Sequence, residues 1–135
     1  MAEAYFNMLA GKYGSAWRAV SAGVCAAEGL PASAKAVALM AEFSAPLADF
    51  ASKPVSVGML QDSAVVVCME SGQCRAVAGF YPPAAEKTYL LTHWLPGEDA
   101  DPDIRWLSED IDFYRSCFNT MKPALDNLFE YINQQ

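Results

Sequence analysis

The chain has 135 residues, of which 53% are hydrophobic, enough for the core of one domain spanning residues 1–135 and too many for a disordered segment. Nine Lys and Arg against sixteen Asp and Glu give a net charge of −7, which argues against nucleic-acid binding because that needs a basic surface. The sequence has neither an apolar run of the ~18–20 residues that span a bilayer nor a signal peptide, so we expect a cytoplasmic protein with no membrane association.

Hydrophobic periodicity predicts four main helices that alternate with three strands along the chain. The helices are predicted over residues 2–12, from the N-cap Ser33 to just before Pro46, over 75–80, and from Ile111 to Ile132. The strands are predicted over residues 17–24, 64–69 and 88–92, with a further short helix after Ser56. This alternation indicates parallel βαβ units with helices on both faces of the sheet, although such a domain ordinarily begins with a strand.

Two of these elements carry more specific expectations. Residues 64–69 are continuously apolar, which predicts a strand buried on both faces. The last helix contains Pro123, which has no backbone N–H and should kink the helix or open one of its hydrogen bonds.

Short motifs occur in a fixed order along nearly the whole chain. Met1–Phe6 reads MAEAYF, Trp17–Gly23 reads WRAVSAG, Ser52–Val55 reads SKPV, and Asp101-Pro102 is followed by FYRSC at Phe113–Cys117. In this order the motifs resemble those of the low-molecular-weight protein tyrosine phosphatases, in the superfamily that also contains arsenate reductases. The resemblance implies a three-layer α/β sandwich with a parallel sheet. It also implies hydrolysis of phosphotyrosine through a phosphocysteine intermediate, with no cofactor and no metal.

The central part of that family's site has no counterpart in these 135 residues. The resemblance implies a nucleophilic Cys in a C-x5-R loop, which follows a central first strand and cradles the phosphate before the MAEA helix. None of the four cysteines has Arg at the required spacing, since Arg75 follows Cys68 after six residues instead of five. We therefore expect the strand and loop to precede Met1, the chain alone to be inactive, and the sheet to close up or to associate with another chain.

Asp101 is the site residue that the resemblance carries over, as the general acid and base of catalysis. Read from the residues alone, the acidic segment Glu98–Asp103 is a solvated loop. Asp103 stands where the family tends to have an aromatic residue, and its charge would repel a phosphate. Trp106 is then the nearest aromatic candidate for a substrate gate.

Two alternatives to a phosphatase remain open. Cys68 and Cys74, with His93-Trp94, are similar to features of thioredoxin-coupled arsenate reductases, although the spacing is shorter by one residue. The residues themselves favour a buried strand Cys68, an incidental Cys74, and a structural or surface His93. The other alternative is a non-catalytic module that binds a partner through the open sheet.

For the phosphatase itself, the resemblance implies that the substrate, once a loop is supplied, is a phosphotyrosine protein or a small aryl phosphate.

Overall fold

The computed structural model describes residues 1–96, 103 and 111–135. Its helices are α1 (Ala2–Lys12), α2 (Ala34–Ala41), α3 (Val57–Asp62), α4 (Ser71–Phe80) and α5 (Ile111–Asn133), and its strands are β1 (Val66–Cys68) and β2 (Thr88–Leu90). Short 3-10 helices flank β2 at Pro82–Lys87 and Leu91–Trp94. Within the described residues, no helix combines the length and the apolar character needed to cross a bilayer.

Side-chain caps fix where three of the helices begin. The hydroxyls of Ser33 and Ser56 each accept a hydrogen bond of 3.2 Å from the backbone N–H three residues later, which confirms the predicted N-cap and the helix after Ser56. Helix α4 begins at Ser71, four residues before the predicted start. The reason is Gln73, whose side-chain oxygen accepts from the backbone N–H groups of Met69 and Glu70 and so completes the first turn.

The main core lies between α1 and α5, and the buried face of α5 runs from Cys117 to Ile132. Phe118 of α5 is fully buried and makes an edge-to-face contact with Tyr5 of α1 at 5.3 Å between ring centroids. Below this contact the Tyr5 hydroxyl donates to Asp126, and burial together with that carboxylate raises the pKa of Tyr5 to about 12. Helix α5 continues through Pro123, so the predicted long C-terminal helix is confirmed.

The sheet in the described residues consists of two parallel strands, β1 and β2, with Val66 opposite Thr88 and Cys68 opposite Leu90. Parallel pairing through α4 confirms the predicted βαβ unit. Both strands are shorter than predicted, and Val66 and Val67 are only half-buried. The expectation of a strand buried on both faces therefore holds only for Cys68.

The predicted strand over residues 17–24 is wrong. Its β-type pairing is limited to Gly23, which exchanges backbone hydrogen bonds of 3.0 Å with Lys53 and Val55. Side chains of α1 hold the rest of the segment: Asn7 donates to and accepts from the backbone of Ala19. A β-favouring sequence becomes a strand only when a neighbouring strand supplies backbone partners, and no strand of the described residues lies along this segment.

A cavity of about 890 Å³ lies where such a neighbour would be. Residues 17–24 line one side of it and residues 62–69 line another. Apolar side chains from all five helices complete the walls, among them Phe6, Ala36, Leu60, Val77 and Leu125. Native cores contain few voids larger than a water molecule, so a space of this size is unusual for the interior of a domain. Among the described residues, β1 does not pair with residues 17–24 across this cavity, so of the two expected alternatives the association with another chain stays a prediction.

We predict that the isolated chain does not behave as a stable monomer. An unpaired buried backbone group costs ~1–3 kcal/mol, and several such groups rival the ~5–15 kcal/mol that stabilises an ordinary domain. Sedimentation and thermal melting over a series of protein concentrations should show self-association or a broad, low-temperature transition. A sharp melt that does not vary with concentration, from a monomer, would contradict this prediction.

Candidate active site

The candidate site lies where the carboxyl end of β1 and the first turn of α1 meet the cavity. Met69, just beyond β1, and Gln73 of α4 line the cavity together with Glu3 of α1 and its N-cap Met1. In parallel α/β sheets, ligands bind in the crevice outside the carboxyl ends of the strands. The site therefore occupies the position that this class of fold uses for binding.

The N-terminal end of α1 brings positive potential to this crevice. Met1 is the N-cap of the helix and makes no side-chain capping bond there. A helix N-terminus of this kind favours an anion such as a phosphate, because its backbone N–H groups and dipole point toward the ligand.

The carboxylate of Glu3 connects α1 with the segment that failed to form a strand. It accepts a hydrogen bond from the backbone N–H of Ser21 at 2.6 Å and a second from the hydroxyl of the same residue. These two donors partly neutralise the negative charge that Glu3 would otherwise present to the crevice. The sequence analysis did not predict this contact. The available signal was that the two motifs MAEAYF and WRAVSAG, which contain Glu3 and Ser21, occur together.

Asp101 and Trp106, the two predicted site residues, lie outside the described residues. Their neighbour Asp103 is described, and its carboxylate accepts from the backbone N–H of Ser71 at 2.6 Å, with the Ser71 hydroxyl at 3.4 Å. Asp103 thereby satisfies a free donor in the first turn of α4, where a negative charge is favourable. The sequence analysis expected Asp103 to repel a phosphate and did not predict its hydrogen bond to the start of α4.

The two cysteines of the arsenate-reductase alternative are in contact. Cys68 ends β1 with a relative exposure of 6%, and Cys74 of α4 packs against the same small cluster. Burial, followed by a hydrogen bond with Cys74, raises the pKa of the Cys68 thiol to about 12. The prediction that Cys68 is buried is confirmed, and the raised pKa of its thiol agrees with the expected protonated state, whereas its contact with Cys74 was missed. The sequence could have predicted this contact, because the end of a strand and the start of the helix that follows it lie close together.

The remaining candidates show no reactive arrangement. Cys117 is buried, which raises the pKa of its thiol, and Cys25 is exposed on the surface. His93 is exposed just after β2, which confirms the expected surface position; its ring is tilted against Tyr89 and lies edge-to-face with Trp94, at 5.3 and 5.1 Å between ring centroids. Across the described ranges, no group of three or more His, Cys, Asp or Glu side chains could hold a metal ion.

Comparison with solved structures shows the same fold in several phosphatases. A low molecular weight protein tyrosine phosphatase from T. tengcongensis is 27% identical, with a TM-score of 0.87 over 96% of this chain and 88% of that one. The YwlE arginine phosphatase from Geobacillus stearothermophilus is 26% identical, with a TM-score of 0.85 over 98% and 83% of the two chains. A low molecular weight protein tyrosine phosphatase from Bacillus subtilis is 21% identical, with a TM-score of 0.85.

A comparison with curated proteins gave no match. A comparison with protein families matched one over residues 1–135, described as low molecular weight phosphotyrosine protein phosphatase. The match spans every described element, from α1, which borders the crevice, to α5, which closes the core. The parallel β1–α4–β2 unit and the fold shared with the T. tengcongensis phosphatase agree with it. The chain therefore belongs to the low molecular weight phosphotyrosine protein phosphatase family.

Proposed function

We propose that this chain is the larger part of a phosphotyrosine phosphatase whose nucleophile lies on a C-x5-R loop outside these 135 residues. The single observation that carries the proposal is the family match over the whole chain, in which no Cys has Arg at the spacing of that loop. On this proposal the protein acts in the cytoplasm, on phosphotyrosine proteins or small aryl phosphates. As it stands, the chain does not turn over substrate.

The crevice supports this proposal because it offers the surroundings that such a loop needs. Met1 lines the cavity, so a segment joined to Met1 enters the cavity directly. A loop delivered there stands at the N-terminal end of α1, where the helix dipole stabilises both a phosphate and a Cys thiolate. The thiolate then attacks phosphorus, and the phosphate–phenol bond breaks to leave a phosphocysteine.

Asp101 has two roles in the proposed reaction. Its carboxylic acid protonates the departing phenolate oxygen, and its carboxylate then deprotonates the water that hydrolyses the phosphocysteine. The hydrogen bond from Ser71 to Asp103 supports this assignment, because it anchors the chain two residues beyond Asp101 beside the first turn of α4. Trp106, in the same acidic region, is the proposed contact for the substrate ring.

Two observations favour other chemistries at the same site. The structurally similar YwlE protein from Geobacillus stearothermophilus is described as an arginine phosphatase, so phosphoarginine is the alternative substrate. The contact between Cys68 and Cys74 favours, as a second candidate function, a reductase that passes oxidation from the loop Cys to this pair. The high pKa of the buried Cys68 thiol opposes that second candidate, since the attacking species in disulfide exchange is the thiolate.

We predict that the 135-residue chain does not hydrolyse a small aryl phosphate above the rate in buffer. No Cys in the sequence has Arg at the spacing of the family's phosphate-binding loop. The measurement is release of phenolate at neutral pH, with Cys68→Ser as the matched control that should leave the signal unchanged. Turnover that disappears in Cys68→Ser would show that this cysteine is a nucleophile.

We predict that an N-terminal extension carrying a strand and a C-x5-R-S loop gives the chain phosphatase activity. In that extended protein, Asp101→Ala should lower kcat by ~10²–10⁴, the usual contribution of acid–base catalysis. Asp99→Ala removes the same charge from the same segment and should change kcat only slightly. Equal losses of kcat in the two variants would show that Asp101 contributes only the negative charge of the segment and is not the general acid. Preferential hydrolysis of phosphoarginine would show that the proposed substrate class is wrong.

We predict that Cys68 and Cys74 do not form a redox pair. Thiol labelling of the native chain should be fastest at the exposed Cys25, whereas Cys68 and Cys117 should react only on unfolding because both are buried. After mild oxidation, peptide mapping should recover Cys68 and Cys74 as separate thiols, with Cys74→Ser as the control digest. A disulfide-linked Cys68–Cys74 peptide would instead support the reductase.

A further inference from the structure

Four aromatic rings meet at the surface where the 3-10 helix after β2 packs against α5. Trp94 is the central ring, and the ring centroids of its three neighbours lie 5.1 to 6.2 Å from its own. Two of the neighbours, Tyr89 and Tyr131, are 36% and 47% exposed, and the third, His93, is exposed as well. Contiguous exposed apolar groups often mark an interaction site. These four residues, Tyr89, His93, Trp94 and Tyr131, are called the ring cluster below.

The fold holds the ring cluster in place. Trp94 is half-buried and packs against the main core, and its backbone oxygen accepts a hydrogen bond of 2.7 Å from the side chain of Asn127 on α5. Tyr89 is the middle residue of β2 and lies opposite Val67 of β1. A surface built on fixed elements loses little conformational freedom when a ligand binds, so the rings are preorganised for binding.

The rings meet at large angles and are not stacked flat. Trp94 is perpendicular to His93, at 88°, and is inclined by 63° to Tyr89 and by 49° to Tyr131. A pocket of about 370 Å³ opens beside two of the rings, with Tyr89 and His93 in its lining. Aromatic rings set at angles around a small space attract organic cations through the negative potential of their faces. The shape of the cluster therefore suits a cation.

Among the described residues, no cation lies over the ring cluster. The ammonium groups that do lie over rings there are those of Lys12, over Tyr13, and Lys122, over Tyr5, at 5.3 and 5.7 Å from the ring centroids. The faces of the ring cluster are therefore available to a cation from another molecule.

The charge beside the ring cluster is negative. Glu130 is exposed on α5, one helical turn from Asn127, which bonds to Trp94. Lys87 comes directly before β2, but its amine donates to the backbone oxygen of Ser63 at the end of α3. The net charge of the whole chain is −7. A cationic partner is thus attracted both by the rings and by the carboxylate, whereas an anionic partner is repelled.

We propose that the ring cluster binds arginine side chains of a basic polypeptide partner. A guanidinium is planar and weakly hydrated, so it can lie against a ring face while its N–H groups donate to the carboxylate of Glu130. A lysine ammonium is a strongly hydrated point charge and offers no flat face to the rings, so it fits less well. The inference does not rest on the phosphatase proposal, because none of these residues takes part in the proposed reaction.

The test uses the 135-residue chain and the hexapeptide Gly-Arg-Gly-Gly-Arg-Gly, blocked at both ends. The ionic strength is about 0.15 M, so that unspecific attraction between exposed charges is screened. Calorimetric titration should show saturable binding. The same peptide with citrulline at both Arg positions keeps the shape and loses the charge, and it should bind at least about fivefold more weakly.

A second measurement needs no substitution in the protein. His93 is the single histidine of the chain, so its reaction with diethyl pyrocarbonate can be followed by itself. Saturating Arg peptide should slow this reaction by about threefold or more, because the bound guanidinium covers the ring cluster.

Exposed tyrosines and glutamates supply matched variants of the protein. Tyr89→Leu combined with Tyr131→Leu removes two rings without changing the charge, and it should weaken binding of the Arg peptide by about tenfold or more. Tyr13→Leu removes a ring that is 64% exposed outside the cluster, and it should leave binding unchanged. Glu130→Gln should weaken binding by about threefold, whereas Glu28→Gln removes the same charge from another surface and should have no effect. Circular dichroism verifies that the free variants are folded as the parent is.

Four outcomes would overturn the proposal. One is the absence of saturable binding, and another is equal binding of the citrulline peptide, which would show an apolar contact without a role for charge. Equal affinity of Tyr13→Leu and the double Tyr variant would show unspecific attraction to an acidic protein. Unchanged reactivity of His93 at saturating peptide would place the binding elsewhere. None of the four bears on catalysis, and the phosphatase proposal is decided by its own assay.

Discussion

Among the residues that the structure describes, strand β1 pairs with a neighbour along one edge only, and the rest of the structure depends on this constraint. Its second edge faces a cavity of about 890 Å³ in the middle of the molecule. Because the sheet does not continue across the cavity, residues 17–22 have no strand beside them and remain irregular despite their β-favouring sequence. The half-exposed valines of β1, the side-chain contacts from α1 and the exposed Val20 are consequences of the same gap.

The helices keep their places around this gap because their main contacts do not pass through the sheet. Phe118 of α5 joins Tyr5 of α1 and Phe43 beyond α2 in one aromatic cluster. On the surface, Arg115 of α5 makes a bidentate ion pair with Glu42 at the end of α2, a contact worth little on its own because both groups are exposed. The core between α1 and α5 thus holds the elements on both sides of the cavity in place.

The two carboxylates that border the candidate site, Glu3 and Asp103, are both hydrogen-bonded to backbone N–H groups. Glu3 accepts from Ser21 and Asp103 accepts from Ser71, so two of the sixteen acidic groups are directed at backbone donors next to the crevice. Both contacts leave the N-terminal end of α1 as a positive feature of the crevice, in addition to Arg18 in the cavity lining. An acidic chain can in this way still present a local environment suited to an anion.

The sequence by itself determined the helices, the parallel βαβ unit and the family, because helix caps at Ser33 and Ser56 and the apolar runs are local signals. It also identified the missing C-x5-R spacing, which is a property of the residue order alone. Only the tertiary structure decided that residues 17–24 are not a strand, that Asp103 caps α4, and that Cys68 contacts Cys74. Each of these depends on which groups lie beside one another in space, since a backbone or side-chain donor acquires its role only from the partner that the fold brings to it.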